Sequence, residues 1–364
     1  MAGAAIWLPV GRLPGPAAIS VAQAIAWHRQ ELLFGAEPAV CAGFLLTALP
    51  RWTGRPPASP AVVRMLLALW LAGRAAAFVS PPVAALVAAL FILALALLAA
   101  RNVIAAHDRR DVKIVVLLFA FSLGAALVAH PSTARHSADF GYKLSLAAVV
   151  GLIIVVGGRI VPSLTAAHLR RSGVMPASLR LAAIETVAAA TTALALAAWL
   201  VIPDAGWTGG ACALACCGQV ARLMQWRGWT AVTRLSILAF HVAYGWIAAG
   251  FALAAVHGLC GTAYVQTTAV VHAWTVGAMG LMSLSVMASM IRRQTGQAFV
   301  ASTPMTVAYV CGGVAGMARL APELLPLTRP VWFGIAAGAW VLAFGLFLAA
   351  FRRSLLHRGD GVTP

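Results

Sequence analysis

The stretch "VAALVAALFILALALLAA", Val83 to Ala100, carries no charged or strongly polar side chain and is bracketed by Pro81 and Pro82 before it and Arg101 after it. A helix needs about 20 apolar residues to cross the hydrocarbon core of a bilayer. Hydrocarbon offers no partner for backbone N–H and C=O groups, and a helix is the form in which a single segment satisfies all of them internally. The stretch therefore predicts a membrane-spanning helix.

The remainder of the chain repeats the pattern. Of 364 residues, 62% are hydrophobic and only 10% charged, too little polar surface to cover a soluble globule. Runs of similar length, separated by polar or Pro/Gly breaks, predict about eleven spans. Their expected limits are Glu31 to Leu49, Ala61 to Val79, Val83 to Ala100, Val112 to Ala129, Phe140 to Val161, Ser178 to Ile202, Gly206 to Met224, Thr233 to Val256, Val265 to Ile291, Pro304 to Leu320 and Val331 to Phe351. The expected fold is an all-α polytopic transmembrane helical bundle, a single integral-membrane domain over residues 1–364 with a short N-terminal segment, 1–26, and a tail, 352–364. The opening "MAGAAIWLPVGRLPGPAAIS" lacks the basic start of a signal peptide, so the first span is expected to direct insertion.

A formal net charge of +17 could suggest a nucleic-acid partner, but the basic residues lie between apolar runs rather than on one face or tail. The bilayer is the expected partner, and nucleic acid is not. Assigned to alternate sides of the spans, Arg12, Arg29, Arg74, Arg135, Lys143, Arg319 and Arg329 fall on one side and the other basic residues on the opposite one. The positive-inside rule makes the richer side cytoplasmic, with the N-terminus outside and the C-terminus inside. The six cysteines form no CxxC pair and read as small buried hydrophobes.

Histidine carries most of the candidate chemistry. His28, His130, His136 and His257 are expected at or near the outer surface, and His107, His168 and His357 in cytoplasmic segments. His241 and His272 instead lie well inside apolar runs, where an ionisable side chain pairs, lines a cavity or ligates something. Each either hydrogen-bonds a neighbouring helix or holds a metal. Nearby Gly245, Gly277 and Gly280 would leave room for a flat macrocycle, and haem in helical bundles is held by histidines on facing helices. The expected depths differ by roughly 10 Å, which favours separate sites. Arg159 either snorkels to the interface or anchors a carboxylate such as a haem propionate. Glu185 is expected to pair with Arg180 or a cytoplasmic arginine. In "AWHRQELLFG", Ala26 to Gly35, a helix would put His28 and Glu31 on one face, binding metal or fixing the imidazole tautomer, with Gln30 pointing away and Arg29 as an interfacial anchor.

Taken in order, "WHRQELLFG" (27–35), "CAGFLLTALPRWTGRPP" (41–57), "GGRIVPSLT" (157–165), "WRGW" (226–229), "HVAYGWI" (241–247) and "HAWTVGAMGLMSLSVM" (272–287) resemble the NnrS family, bacterial membrane proteins containing haem and copper and associated with the nitric-oxide response. The resemblance implies an inner-membrane location, a total near twelve spans, b-type haem, copper and nitric oxide as a ligand. It implies metal ligands at His28, His241 and His272, with His130 a further match. The chain departs from the family's W-H-x-H-E-M-L-F-G at Gln30 and Leu32, and from its G-H-T-G-R-like turn at Arg293, Gln294, Thr295, Gly296 and Gln297. Imidazole is thereby replaced twice by an amide that ligates copper and iron poorly. Two other functions fit the same residues: a small-solute or metal-ion transporter lined by His28, Glu31, His241 and His272, and a metal-free assembly partner.

Overall fold

A computed structural model describes residues 21–107, 110–130, 135–174, 181–324 and 329–356. Expectations that fall on residues 1–20 and 357–364, and on Arg109, Ser178 and Arg180, lie outside the described residues. Among those described there are eleven helices and no strand, and eight helices are long and apolar enough to cross a membrane.

In chain order the segments are α1 (Val21–Arg29), π1 (Gln30–Ala36), α2 (Glu37–Thr53), α3 (Pro60–Ala76), α4 (Pro81–Ala105), α5 (Val112–Ala129), α6 (Arg135–Arg171), α7 (Ala182–Val201), α8 (Gly206–Gln225), α9 (Leu235–Cys260), α10 (Thr267–His272), π2 (Ala273–Gly280), α11 (Leu281–Gln294), α12 (Thr303–Leu324) and α13 (Arg329–Leu356). The runs α1–π1–α2 and α10–π2–α11 are each one continuous rod. Helix α3 has 17 residues and is short for a span; α8 and α12 are long enough but less apolar, and α8 carries Gln219 and Arg222 in its last turns.

Helix ends differ from the expected span ends for a physical reason. A change in polarity marks where the chain leaves hydrocarbon, whereas a helix stops where a cap or breaker stops it. Thus the residues of the polar "WHRQE" are already helical, and α6 runs 37 residues, through Pro162, before Gly173 adopts φ 76°. Ser59 starts α3 by accepting the Val62 N–H (3.4 Å), with Pro60 at the first helical position.

The chain divides into two compact units, residues 3–155 and 156–364. In the first, α4 packs against α3 and α5, and π1 against α3 and α4. Ser122 donates to Ala89 O (2.9 Å) across α5 and α4. In the second, α8 packs against α7 and α9, π2 against α9 and α12, and α12 against α13.

Tryptophans seated on glycines organise the second unit. Trp274 lies on Gly250, Trp246 on Gly277 and Gly316, and Trp340 on Gly280, each so close that an added Cβ would strike the ring. Trp274 donates its indole N–H to Ile247 O (3.3 Å) and meets Trp199 edge-on, ring centroids 5.2 Å apart. Lipid tails are as apolar as leucine, so helices in a bilayer gain little from burial and associate through close contact of this kind. We expect Gly250→Ala and Gly277→Ala each to destabilise the folded protein by about 1–3 kcal/mol in reversible unfolding in detergent. Gly245→Ala, on the same helix as Gly250 but with nothing within 4 Å of the added methyl, is the control. It should be neutral or stabilising by up to about 1 kcal/mol, since alanine is the better helix former.

Candidate functional site

In the first unit the polar start of the first rod is built around a shift of helical register. At π1 the backbone bonding changes to i→i+5, with Glu37 N–H donating to Leu32 O. The neighbouring helix supplies donors to carbonyls there: Trp70 Nε1–H donates to Gly35 O at 2.7 Å and Arg74 Nη2 to Phe34 O at 3.4 Å. Trp70 and Arg74 are four apart and share a face of α3. Arg74 also pairs with Glu31, Nη1 to Oε2 2.7 Å, and its guanidinium fills the space a side chain at Gly35 would need.

The carboxylate expected to serve His28 is thus engaged by Arg74. His28 is half-buried in α1 and Gln30 is buried at the start of π1. Because the segment is helical throughout, positions 28 and 30 face different ways. Arg29 lies 5.6 Å over the Tyr142 ring instead of only marking the interface. One turn further on, Glu37 is 4% exposed and accepts the Cys41 thiol at 3.7 Å. His130 is exposed at the end of α5.

In the second unit His241 and His272 are held differently. His241 is 6% exposed. Thr165 donates its hydroxyl to Val161 O (3.1 Å), so its oxygen receives Nε2–H of His241 at 2.9 Å. That leaves the lone pair on Nδ1, which faces Gly228 so closely that a methyl there would lie 2.7 Å away. His272 donates Nδ1–H to Thr268 O at 2.6 Å; a carbonyl can only accept, so the neutral ring keeps its lone pair on Nε2.

The two histidines are not brought together. Contacts of Trp274 with Gly250 and of Gly277 with Trp246 set the register of π2 against α9. His272 then lies level with a point roughly 15 Å along α9 from His241. The space expected for a macrocycle beside Gly277 and Gly280 is filled by Trp246 and Trp340. A haem shared by this pair does not fit, and His241 has no open side for one. His272 does fit as a single imidazole ligand, since ligating histidines characteristically donate their other nitrogen to a carbonyl or carboxylate. Among the described residues no three His, Cys, Asp or Glu side chains are close enough to hold a metal ion.

A buried charged network occupies the end of the second unit that holds His241. Arg222, 5% exposed, donates Nε and Nη2 to the two Glu185 oxygens (3.2 and 2.9 Å), and Nη1 to Gln219 Oε1 (3.1 Å) and to Tyr244 OH. Tyr244 OH donates to Gln219 Oε1 (2.5 Å), and Gln219 Nε2 to Thr192 (2.6 Å). The guanidinium also lies 5.0 Å over Trp226, and Gly157 and Gly158 of α6 let Tyr244 and Arg222 approach. Glu185 thus pairs with an arginine expected on the cytoplasmic side, Arg222. Arg159, one residue beyond Gly158, is half-buried. Arg222 and Gln219 were not expected at a site. Their i,i+3 spacing in "GQVARLMQ", which shares a helical face, is the signal that could have found them.

The family model described as NnrS protein matches residues 1–358, and the chain belongs to the NnrS family. Comparison with curated proteins gives no match.

Removing one partner of a buried ion pair leaves the other charge unpaired, typically at about 3–5 kcal/mol. Glu185→Gln and Arg222→Met should each lower stability by about that order, and the double variant by clearly less than the sum. A double-mutant cycle on unfolding in detergent checks this; additive effects would show that the pair does not couple.

Proposed function

We propose that this member of the NnrS family is a bacterial inner-membrane haem protein of the nitric-oxide response, oriented with its N-terminus outside and its C-terminus in the cytoplasm. The observation that carries the haem reading is His272: its Nδ1–H meets Thr268 O at 2.6 Å, which fixes the tautomer in which Nε2 would face a metal. The ring stands where α10 passes into π2, and such register shifts are frequent at functional sites. A haem held there would supply an iron able to bind nitric oxide. The chain's part is to fix the tautomer and direction of the imidazole through Thr268. Trp274, two residues on, is locked by Gly250 and Ile247 O and fixes the rod that carries the ring.

His241, by contrast, is proposed to tie α9 to α6 through Thr165 rather than to bind iron. His28 has Gln30 on another face and its neighbouring carboxylate, Glu31, paired with Arg74, so copper at this rod would need other donors. A transporter is the second reading, favoured by the buried Glu37 following the Glu31–Arg74 pair along the first rod.

Purified protein should show a Soret band that shifts on addition of nitric oxide, His272→Ala should lose most of it, and His241→Ala should keep it. Absence of the band together with no bound iron would sink the haem reading, and solute flux in vesicles would then support the transporter.

A further inference from the structure

In the second unit the start of α9 and the ends of α11 and α13 meet at the connector 295–302. Ser236, buried in the first turn of α9, donates its hydroxyl to Phe299 O at 3.3 Å, and the Phe299 and Phe240 rings stand 6.4 Å apart. Gln297 donates Nε2–H to Ser354 Oγ of α13 at 3.3 Å. Arg292, in the last turn of α11, lies 5.3 Å over the Phe351 ring and donates Nη1–H to Ala298 O at 3.1 Å. Its guanidinium thus helps build a platform that joins three helix ends.

Further arginines border that platform. Arg234 immediately precedes α9, Arg293 follows Arg292, and Arg352 and Arg353 follow Phe351. All four are exposed, and among the described residues none of their side chains makes a hydrogen bond or ion pair. The neighbouring elements bring no carboxylate to them. Between Asp204 and Glu323 the sequence has no aspartate or glutamate, and Glu185 is held by Arg222. Asp360, in the tail, lies outside the described residues. The helices that end here, α9, the rod α10–π2–α11 and α13, are each long and apolar enough to cross a membrane. Their arginine-bearing ends therefore stand where hydrocarbon gives way to headgroups. Apolar side chains are exposed among the charges: Val232, Val300 and Leu355. A soluble polyanion would meet the guanidinium groups and leave these side chains in water. A phospholipid meets both, its phosphate on the guanidinium donors and its acyl chains on the valines and leucine.

We propose that Arg234, Arg293, Arg352 and Arg353 form a binding site for the headgroups of anionic phospholipids, framed by the connector 295–302. Arg292 holds the frame through Phe351 and Ala298 O, and the other four present their donors to phosphate. Each basic residue at such a surface raises affinity for anionic lipid by about fivefold. Neither the haem reading nor the orientation of the chain enters the argument.

The test uses the full chain in nanodiscs of phosphatidylglycerol and phosphatidylcholine in equal parts, with native mass spectrometry counting the lipids of each kind that stay bound on release. The parent should retain phosphatidylglycerol in preference to phosphatidylcholine, and the preference should fall as salt is raised. Glutamine at all four arginines should lower it by about fivefold or more, whereas lysine at all four should keep most of it, which separates charge from folding. Arg352→Gln with Arg353→Gln, at the exposed end of α13, should lose part of it. Arg329→Gln, at the opposite end of the same helix, should leave it unchanged. No preference in the parent, or an equal preference in the glutamine variants, overturns the site. Displacement of the bound phosphatidylglycerol by inorganic phosphate or by an RNA oligonucleotide overturns the lipid assignment.

Discussion

Inside hydrocarbon every backbone N–H and C=O has to find a partner within the protein, and most of this chain meets that demand with uninterrupted helix. The exceptions are therefore informative. Where π1 shifts the ladder, Phe34 O and Gly35 O receive donors from Arg74 and Trp70 of the next helix. The guanidinium that reaches these carbonyls occupies the place a side chain at Gly35 would take. Several residues of the first motif, which in a list of conserved-looking letters would pass for ligands, are accounted for by backbone chemistry. Glu31 belongs with them, since it balances the charge that Arg74 brings inside.

The helices were legible because apolar length is a one-dimensional property: α4 and α5 lie where the runs Val83 to Ala100 and Val112 to Ala129 place them. Helix ends were less so, since α6 continues well past the polar residues that bound its apolar run. The π segments were not legible at all. Their sequences, "QELLFGA" and "AWTVGAMG", keep an ordinary helical pattern, and at the first the donors that meet its carbonyls come from another helix. The candidate site was legible in its histidines but not in their partners. Arg222 reads as one of several basic residues flanking a span, and only the fold carries it inward to Glu185.

Satisfied and unsatisfied polar groups divide the interior into two kinds of place. The cluster of Arg222, Glu185, Gln219, Tyr244 and Thr192 closes on itself, each strong donor meeting an acceptor, which is how a buried charge becomes rigid rather than reactive. Gln30 Nε2 and Trp226 Nε1, in contrast, are buried donors without a hydrogen-bond partner among the described residues. Each costs of order 1–3 kcal/mol. Both belong to stretches that carry the family resemblance, "WHRQELLFG" and "WRGW". Trp226 is itself a residue of the resemblance, whereas Gln30 stands where the family's motif has histidine.

The same accounting separates the histidines. Burial marks His241 as the more conspicuous of the two intramembrane rings, yet burial is what removes it from ligand chemistry: Thr165 takes one nitrogen and the backbone at Gly228 closes over the other. His272 is less buried, and one carbonyl fixes its tautomer. His257 shows a third arrangement, in which the two ring nitrogens face Val265 O and Asp204 Oδ1 in two different connectors. Which atoms face the two nitrogens, rather than depth in the bundle, sets what a membrane histidine can do.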